Sequence, residues 1–386
     1  MKNRAPRVLV ALTTTGAWSR GILRGFMAVG HEHDWSLLHY HPATNLARVI
    51  HEWRPAAALI GPELASRSLD EFGAARVVSV TVDLSAAGIP SVCVDEDAVA
   101  ALALDHLLAT GIRNVSTFRF DDLPFSIARE HAFVERARAA GARVAPGWGS
   151  AGMKHSKRED PIALPAWLRE LPRPCGIFTC TDGWARTVVR YAGIAGLRIP
   201  DDIALVGADN DSLECELISP PLSSVMIPWR EMGQTAARLM QKVLLGQSTR
   251  VSRAMISPLG VAARRSSDVL AIADPLVAKA VRWIRSNAES RLTVPMVANA
   301  VGGGRQRLER RFRAVLARTV QEEIRRAHVE IAKRRLEVSD ASMTQVARSS
   351  GFTNAALLSV AFQRDVGMPP SVYRRRFRSD MNHGDD

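Results

Sequence analysis

The sequence contains little cysteine, few aromatic residues and no long apolar run. Its 386 residues include four cysteines, and aromatic residues make up 6%. No two cysteines have the CxxC spacing of zinc and redox sites, so we expect buried thiols in a reducing compartment. The first apolar run, "VLVAL" at 8–12, is too short for a signal peptide. No stretch approaches the roughly 20 apolar residues of a membrane span, which predicts a cytoplasmic protein without a membrane partner.

The common catalytic motifs are missing as well. The chain has no GxSxG, HExxH or phosphate-binding GxxxxGK[ST] pattern. The cluster "HEHD" at 31–34 could suggest a metal site, but His31 and His33 cannot share one face of a helix. Paired acids such as Asp121-Asp122 are more typical of turn caps. We therefore expect a protein that is not an enzyme and that holds neither a metal nor a cofactor.

Positive charge is concentrated in the last third of the chain. The formal net charge is +12 at pH 7. Residues 275–386 hold 21 Lys and Arg against 11 Asp and Glu, whereas the first 274 residues hold 30 against 28. Such asymmetry between two parts of a chain indicates that the basic part binds a polyanion.

Residues 1–265 alternate short β-branched runs with amphipathic helical patterns, which predicts βαβ units with buried parallel sheets. The predicted strands are "RVLVAL", "WSLLHY", "AAALIG", "RVVSVTV", "SVCVD", "NVSTFRF", "CGIFTC", "IALVGAD" and "LSSVMIP". They fall into two groups with a crossover near residue 111, so we expect two similar α/β lobes. Residues 266–275 are predicted to be a linker, and residues 276–380 an all-α domain.

The all-α domain contains an internal repeat. The segments "TVPMVANAVGG" (293–303) and "SMTQVARSSGF" (342–352) each precede a helix that carries Leu and Phe four residues apart. Each copy has a short helix, a turn with glycine and a second helix, which is the helix-turn-helix pattern. Two such units, joined by a long helix near 319–338 in the basic part of the chain, strongly favour a DNA-binding domain.

The stretch "RQRLERRFRAV" (305–315) is the second helix of the first unit. Leu308, Phe312, Val315 and Leu316 fall on one helical face, which predicts that this face packs against the domain. Guanidinium and amide groups on the outer side can pair with base edges and phosphates. The candidate DNA contacts of this helix are Arg305, Gln306, Arg307, Arg310 and Arg313.

The second unit is predicted to present a different surface. In its second helix Ala356, Val360 and Gln363 face outward, with Ser359 at the edge. Small apolar groups can touch thymine methyls but make few of the paired hydrogen bonds that distinguish bases. We therefore expect the first unit to carry most of the sequence selection and the second mainly to contact phosphates. The candidate DNA contacts of the second unit are Asn354, Ser359, Gln363, Arg374 and Arg375.

Residues 276–378 resemble the DNA-binding domain of the AraC/XylS family of transcription regulators. The resemblance rests on "LERRFR" (308–313) and on "SSGFTNAALLSVAFQRDVGMPPSVYRRR" (349–376). There are two departures from the family pattern. Gly302-Gly303-Gly304 occupies the first turn, where the family usually has one Gly and a Ser, and Ala317 stands where it often has Gly. The resemblance implies operator or promoter DNA as a partner.

Residues 1–265 resemble a second family, the LacI/GalR-type repressors. The resemblance rests on "RIPDDIALVGADND" (198–211), "PPLSSVMIPWREMGQTAARLM" (220–240) and "ARRSS" (263–267). That family normally begins with a helix-turn-helix, whereas here the DNA reader follows the sensor. The resemblance implies a two-lobed sensor, similar to periplasmic sugar-binding proteins, that closes on a monosaccharide.

Sugar binding requires carboxylates, amides and guanidiniums around the hydroxyl groups, together with an aromatic face. Such residues follow several predicted strands, at the edge where α/β folds bind ligands. The candidate ligand contacts are Trp18, Ser19, Arg20, Asp95, Arg129, Asp182, Trp184 and Asp209. The resemblance places five of them at or beside ligand-contact positions: Trp18, Arg20, Arg129, Asp182 and Asp209. The alternative roles are helix N-caps for Asp95 and Asp182, surface arginines and core tryptophans.

These observations predict a ligand-responsive transcription regulator. The favoured effector is a pentose, D-xylose, and lobe closure is expected to alter a homodimer and with it the spacing of the DNA readers. A contact with RNA polymerase is left open. The alternatives are a different monosaccharide, a phosphorylated or protein ligand, and a role as a sugar-binding transport component.

Overall fold

The chain folds into two compact units, Met1–Val269 and Leu270–Asp386. The computed structural model describes residues 5–40, 45–65, 72, 76–149, 159–247, 253–268 and 274–378. Residues 269–273, the middle of the predicted linker, lie outside these ranges.

The first unit contains two six-stranded sheets, one in each lobe. The first sheet consists of β1 (Arg7–Ala11), β2 (Ser36–His39), β3 (Ala57–Ile60), β4 (Arg76–Val80), β5 (Ser91–Val94) and β11 (Arg253–Ile256). Their order is β11-β5-β4-β3-β1-β2, and all neighbours run parallel. Buried Val, Leu and Ala fill the four inner strands because helices cover both faces of the sheet, whereas the edge strands β2 and β11 are more exposed.

The second sheet repeats this plan. It consists of β6 (Asn114–Phe118), β7 (Arg143–Val144), β8 (Cys175–Thr179), β9 (Ile203–Ala208), β10 (Ser223–Met226) and β12 (Gly260–Ala262). The order is β12-β10-β9-β8-β6-β7, with β12 antiparallel to β10. The nine predicted strands are confirmed. β7, β11 and β12 were not predicted, since they are two to four residues long and lack a β-branched run.

Helices pack on both sheets. They are α1 (Ala17–Glu32), α2 (Leu46–Trp53), α3 (Pro62–Ala65), α4 (Glu96–Ala109), α5 (Pro124–Ala139), α6 (Ala163–Glu170), α7 (Asp182–Ile194), α8 (Ser212–Leu217) and α9 (Trp229–Leu244). α1 packs against α9 in the first lobe, and α4 packs against α5 in the second.

The chain crosses between the lobes after β5, after β10 and between β11 and β12. Backbone hydrogen bonds join the crossings: the Asp95 amide donates to the Ile256 carbonyl at 3.0 Å, and the Leu259 amide donates to the Met226 carbonyl at 2.8 Å. The first crossing lies at Asp95 and not near residue 111 as predicted, because α4 already packs on the second sheet. Three adjacent crossings form a hinge.

α1 and α9 approach each other at backbone distance. A Cβ atom on Gly25 would lie 2.0 Å from the Arg230 carbonyl oxygen, and one on Gly233 would lie 2.0 Å from the Ile22 carbonyl oxygen. Glycine is therefore required at both positions, since any side chain would push the helices apart. This contact fixes the start of α9, which follows the second crossing.

The second unit is helical throughout its described part. Its helices are α10 (Pro275–Asn287), α11 (Val294–Val301), α12 (Arg305–Leu316), α13 (Val320–Val338), α14 (Met343–Ser349), α15 (Ala355–Val366) and α16 (Pro370–Arg378). The pairs α11–α12 and α14–α15 are the two predicted helix-turn-helix units, and α13 contributes to the core of each. The shared Leu and Phe of each second helix are fully buried. Val315 is 40% exposed, so its predicted place on the packed face is wrong.

The predicted linker 266–275 is too long at both ends. Ser266 and Ser267 are buried in the second lobe, and the Ser266 hydroxyl donates to the Leu205 carbonyl at 2.7 Å. At the other end Asp274 caps α10 by accepting from the Leu276 amide at 2.9 Å. Both ends have the polar sequence of a linker, but their hydrogen bonds belong to folded elements.

The ends of α12 and α15 give a prediction about stability. Ala317 caps α12 with a φ of 51°, and Gly367 caps α15 with a φ of 80°. The left-handed conformation costs a residue with a Cβ roughly 1 kcal/mol. We expect Ala317→Gly to stabilise the helical unit by about 0.5–1 kcal/mol and Gly367→Ala to destabilise it by a similar amount, measured by calorimetric unfolding. A destabilised Ala317→Gly variant would contradict this account of the cap.

Candidate functional site

The loops at the carboxyl ends of both sheets carry most candidate ligand residues. In each sheet the second strand in the chain pairs with one side of the first strand, and the third strand pairs with its other side. β1 therefore lies between β2 and β3, and β6 lies between β7 and β8. Loops diverge at such a switch point and leave a crevice that binds ligands. Trp18 and Arg20 follow β1, Arg129 follows β6, and Asp209 follows β9.

Arg129 is the centre of a buried ion cluster. Its side chain is 2% exposed, and Nε donates to Glu96 Oε2 at 2.5 Å. Nη1 donates to the Cys180 carbonyl at 2.6 Å and to Asp209 Oδ1 at 3.4 Å. The guanidinium also lies over the Phe125 ring, 5.1 Å from its centroid. Arg129 thus joins α5, the end of β9 and the first turn of α4 at the lobe crossing.

The cluster holds two carboxyls against one cation. Burial opposes the charged form of Arg129, but Glu96 and Asp209 raise its pKa, so the guanidinium stays protonated. Burial raises the pKa of Asp209 to about 7, although Arg129 acts in the opposite direction. Burial likewise raises the pKa of Glu96. Arg129 cannot use every carboxylate lone pair, so oxygen acceptors remain for a ligand hydroxyl.

The backbone that carries Asp209 is strained. Asp209 has a φ of 108° and Asn210 a φ of 52°, a region that residues other than glycine rarely adopt. The turn is held from both sides: the Asn210 amide donates to Ser224 Oγ at 3.0 Å, and Asn210 Oδ1 accepts from Arg264 Nη2 at 2.8 Å. Strain of this kind persists where the surrounding structure imposes it, and it often marks a functional site.

Asp182 supports this turn from inside the second lobe. It is 1% exposed, and its two oxygens accept from Ser224 Oγ at 2.6 Å and from the Asp211 amide at 2.8 Å. Burial raises the pKa of Asp182 well above its usual range. Both oxygens thus have partners within the protein, so the geometry favours a supporting role for Asp182 over direct ligand contact.

The first lobe contributes an aromatic pair. Trp18 is partly buried, and its ring meets Trp229 edge-on with centroids 6.3 Å apart. Arg20 Nη1 donates to two carbonyls of the loop after β1, at 3.0 and 3.2 Å. Ser19 is fully buried and donates to a carbonyl at the start of α1 at 3.0 Å. Trp18 can thus offer an aromatic surface, Arg20 shapes the loop, and Ser19 holds the helix end.

The two remaining candidates have local partners. Asp95 caps α4, its Oδ1 accepting from the Ala98 amide at 3.0 Å, which is the alternative role considered for it. Trp184 is partly buried and meets the Phe120 ring edge-on, with centroids 6.3 Å apart. Phe120 belongs to the loop after β6, so this pair lies at the ligand edge of the second lobe.

Three residues of this region are not among the eight candidate ligand contacts. Glu96 is the partner of Arg129, Trp229 pairs with Trp18, and Arg119 braces the loop after β6. Arg119 is 5% exposed and donates to Glu130 Oε2 and Asp122 Oδ1, both at 2.6 Å. The sequence signal for Glu96 is the pair Asp95-Glu96 after β5. If Asp95 caps α4, Glu96 lies in the first turn of that helix, and its side chain is free to point away from the cap.

The outer face of α12 is as predicted. Leu308 and Phe312 are fully buried, and Gln306, Arg310 and Arg313 lie on the opposite side. Arg307 lies on the flank, and Arg305 is the first residue of the helix. The exposed side chains of this helix include Arg305, Gln306, Arg307, Arg310 and Arg313. Arg311 points differently and pairs with Asp274 at 2.8 Å, which anchors α12 to the start of α10.

The candidate contacts around α15 have more partners within the protein. Asn354 Oδ1 caps the helix by accepting from the Leu357 amide at 2.9 Å. Gln363 Nε2 donates to the C-cap carbonyl at 3.0 Å, and Arg374 Nη2 donates to a carbonyl before α14 at 2.6 Å. Arg375 and Ser359 are exposed. Arg375 is therefore better placed than Arg374 for a phosphate contact.

Two protein families match the chain in the order of these two units. The periplasmic binding protein-like domain family matches residues 104–267, and the helix-turn-helix domain family matches residues 297–376. The xylose operon regulatory protein of Haemophilus influenzae is 30% identical over 291 residues, which cover 74% of each chain. The chain belongs to the family of xylose operon regulatory proteins. The Escherichia coli K12 member is 28% identical over 289 residues, 73% of each chain.

The fold of this family member agrees with a solved relative. The structure of a xylose-binding transcription activator aligns over 97% of this chain and 99% of its own, with a TM-score of 0.65 and 22% identity. A two-lobed sensor and a tandem helix-turn-helix unit are thus present in one chain. It is a DNA-binding transcription regulator with a sugar-sensor fold, as the two resemblances predicted.

Three further features of this regulator are the state of its cysteines, its potential metal ligands and its potential membrane-spanning helices. All four cysteines are buried and free, as expected. Within the described ranges no group of three or more His, Cys, Asp and Glu side chains could hold a metal ion. No helix among the described residues has the length and apolar character needed to span a bilayer.

Proposed function

We propose that this chain is a cytoplasmic, non-enzymatic regulator of xylose-utilisation genes, with D-xylose as its effector and operator or promoter DNA as its target. The Arg129 cluster carries the proposal. It places two carboxyls and a guanidinium at the hinge between the lobes. The names of the relatives support D-xylose as the sugar.

The sugar site that we propose has a polar side and an aromatic side. Arg129 and Asp209 from the second lobe, with Glu96 at the crossing, would bind the sugar hydroxyls as donors and acceptors. Trp18 and Trp229 from the first lobe would cover the C–H face of the ring. Asp182, Asp95 and Ser19 would support these residues, and Arg20 and Trp184 would line the edges.

Lobe closure is the step that would link sugar to DNA. Glu96 begins α4 directly after the first crossing, so a sugar that binds the Arg129 cluster contacts the hinge itself. A ligand shifts such an equilibrium only by its difference in affinity between the open and closed states. In a homodimer, closure would change the spacing of the two DNA readers, each with two recognition helices. A contact with RNA polymerase would follow if the regulator activates transcription.

The proposal is tested by calorimetric titration of the full chain with D-xylose, L-arabinose and D-glucose, and by selection on randomised DNA with and without the bound sugar. We expect D-xylose to bind, to stabilise the sensor by roughly 2.7 kcal/mol at 100 times its Kd, and to change the affinity for the selected DNA. Binding of another sugar alone would overturn the choice of effector. No selected motif would overturn the DNA-binding function.

Asp209→Asn tests the polar side of the site. The amide keeps the shape but loses half of the accepting capacity, so D-xylose affinity should fall by roughly 1.5–3 kcal/mol, the magnitude of a charged hydrogen bond. DNA binding without sugar should be unchanged. Asp97→Asn, at an exposed carboxylate of α4, is the control and should leave the affinity unaltered. Equal affinities in all three proteins, by calorimetry, would remove Asp209 from the site.

The same variant has a pH signature. Burial raises the pKa of Asp209 from 3.8 to about 7, so its contribution to stability is full below about pH 4 and is lost as the pH rises to about 7. An asparagine does not titrate. We therefore expect the unfolding free energy of Asp209→Asn, relative to the unaltered chain, to increase between pH 5 and pH 7.5, as measured by urea unfolding at each pH.

A phosphorylated effector is the second candidate function. An anionic ligand would have to approach the carboxyl groups of Glu96 and Asp209, which already pair with Arg129 in the cluster. Like charges in a buried site are unfavourable, so the geometry favours an uncharged sugar.

A further inference from the structure

The two recognition helices align without a gap. Leu308 and Leu358, Phe312 and Phe362, and the C-caps Ala317 and Gly367 are each separated by 50 residues, and both the Leu and Phe pairs are fully buried. Because the buried residues have the same spacing in both helices, α12 and α15 turn equivalent sides toward their cores. Each outward position of α12 therefore has one counterpart on α15.

The chemistry at these equivalent outward positions is opposite. Arg307 corresponds to Leu357, and Arg310 corresponds to Val360. Leu357 is 52% exposed and Val360 is 68% exposed, although both are large apolar residues. They lie three residues apart on one helical face, and so they form a continuous apolar strip where α12 has guanidinium groups.

Double-stranded DNA offers few apolar groups to such a strip. In the major groove the apolar group that distinguishes one base is the C5-methyl of thymine. The polar groups that border the strip are partly engaged, since Asn354 caps α15 and Gln363 donates to the C-cap carbonyl. The strip is thus better suited to methyl contacts than to hydrogen bonds with base edges.

We propose that Leu357 and Val360 are specificity-determining residues that select thymine through its methyl group, so that the second unit reads sequence and does not only position the domain. This inference rests on the proposed DNA-binding function. It revises the expectation that phosphate contacts dominate the second unit. α12 would select guanine-containing steps through Arg307 and Arg310, and α15 would select thymine-containing steps.

The experiment uses DNA from which single methyl groups are removed. The full chain is first used to select a motif from randomised DNA. Each thymine of that motif is then replaced by deoxyuracil, which keeps the hydrogen-bonding edge and loses the methyl. We expect affinity, measured by fluorescence anisotropy, to fall about fourfold for each contacted methyl. The affected positions should cluster in one half of the bound site.

Protein variants assign the contact. Val360→Ala and Leu357→Ala should each bind the thymine motif more weakly and lose the deoxyuracil effect at one position, since the contact is already absent. Ile194→Ala removes an equally exposed apolar side chain from the sensor and should behave like the unaltered chain. Circular dichroism checks that the variants fold, and the deoxyuracil series on the unaltered chain needs no variant.

The outcomes separate the inference from the function on which it rests. A selected motif with no thymine in one half, or one in which deoxyuracil has no effect, overturns the methyl-reading strip while DNA recognition stands. A deoxyuracil effect that persists in both alanine variants also overturns it. Failure to select any motif overturns the proposed function itself.

Discussion

Arg129→Met should destabilise the sensor by about 3–5 kcal/mol and abolish its response to D-xylose. The substitution leaves Glu96 and Asp209 buried without their cation, and breaking a buried ion pair by removing one partner has this magnitude. The two carboxyls can avoid the penalty only by binding protons. The loss of stability should therefore be larger at pH 8 than at pH 5, as measured by urea unfolding.

A matched control exists on the same two helices. Arg136 pairs with the exposed Asp97, whereas Arg129 pairs with the neighbouring Glu96 in the buried cluster. Exposed ion pairs contribute little to stability, so Arg136→Met should be close to the unaltered chain. If both variants lose the same stability, the effect belongs to the packing of the two helices and not to the buried cluster.

Gly25→Ala should destabilise the sensor by at least about 2 kcal/mol, which is large for the addition of one methyl group. The new Cβ would lie 2.0 Å from the Arg230 carbonyl oxygen, which is backbone and cannot rotate away. α1 and α9 must then separate. Since Trp18 and Trp229 lie in the first turns of these helices, D-xylose affinity should fall as well.

Gly193→Ala is the control for helix propensity. Gly193 lies in α7, and a Cβ atom added there would meet open space, so alanine should be neutral or stabilise by up to about 1 kcal/mol. Both variants are compared by calorimetric unfolding and by titration with D-xylose. A Gly25→Ala protein as stable as Gly193→Ala would mean that the close approach of α1 and α9 is not required.

Much of the architecture was predictable because its signals are local. The nine predicted strands are short apolar runs, and the two recognition helices carry Leu and Phe at a helical spacing that assigns the buried face within one or two turns. The outer face of α12 was predicted directly from the position of its buried Leu and Phe. Val315 was assigned wrongly: near the end of α12, Leu316 packs against the core while Val315 stays exposed.

The ligand candidates were harder to rank, since they all follow strands and all have suitable chemistry. Asp95 and Glu96 are adjacent in sequence, but their side chains have different roles. Asp95 caps α4, while Glu96 pairs with Arg129. Asp182 and Asp209 likewise follow neighbouring strands. One is buried among hydrogen bonds of the second lobe, and the other is turned toward Arg129 by a strained backbone.

The sequence by itself determined nine strands, the two helix-turn-helix units, their place after the sensor and the basic character of the DNA reader, because hydrophobic periodicity and charge are properties of short segments. Only the tertiary structure decided where the chain crosses between the lobes, which carboxylates share Arg129, and that glycines bring α1 and α9 into contact. These features join residues far apart in the chain. Their geometry depends on how sheets and helices pack, and no local pattern records it.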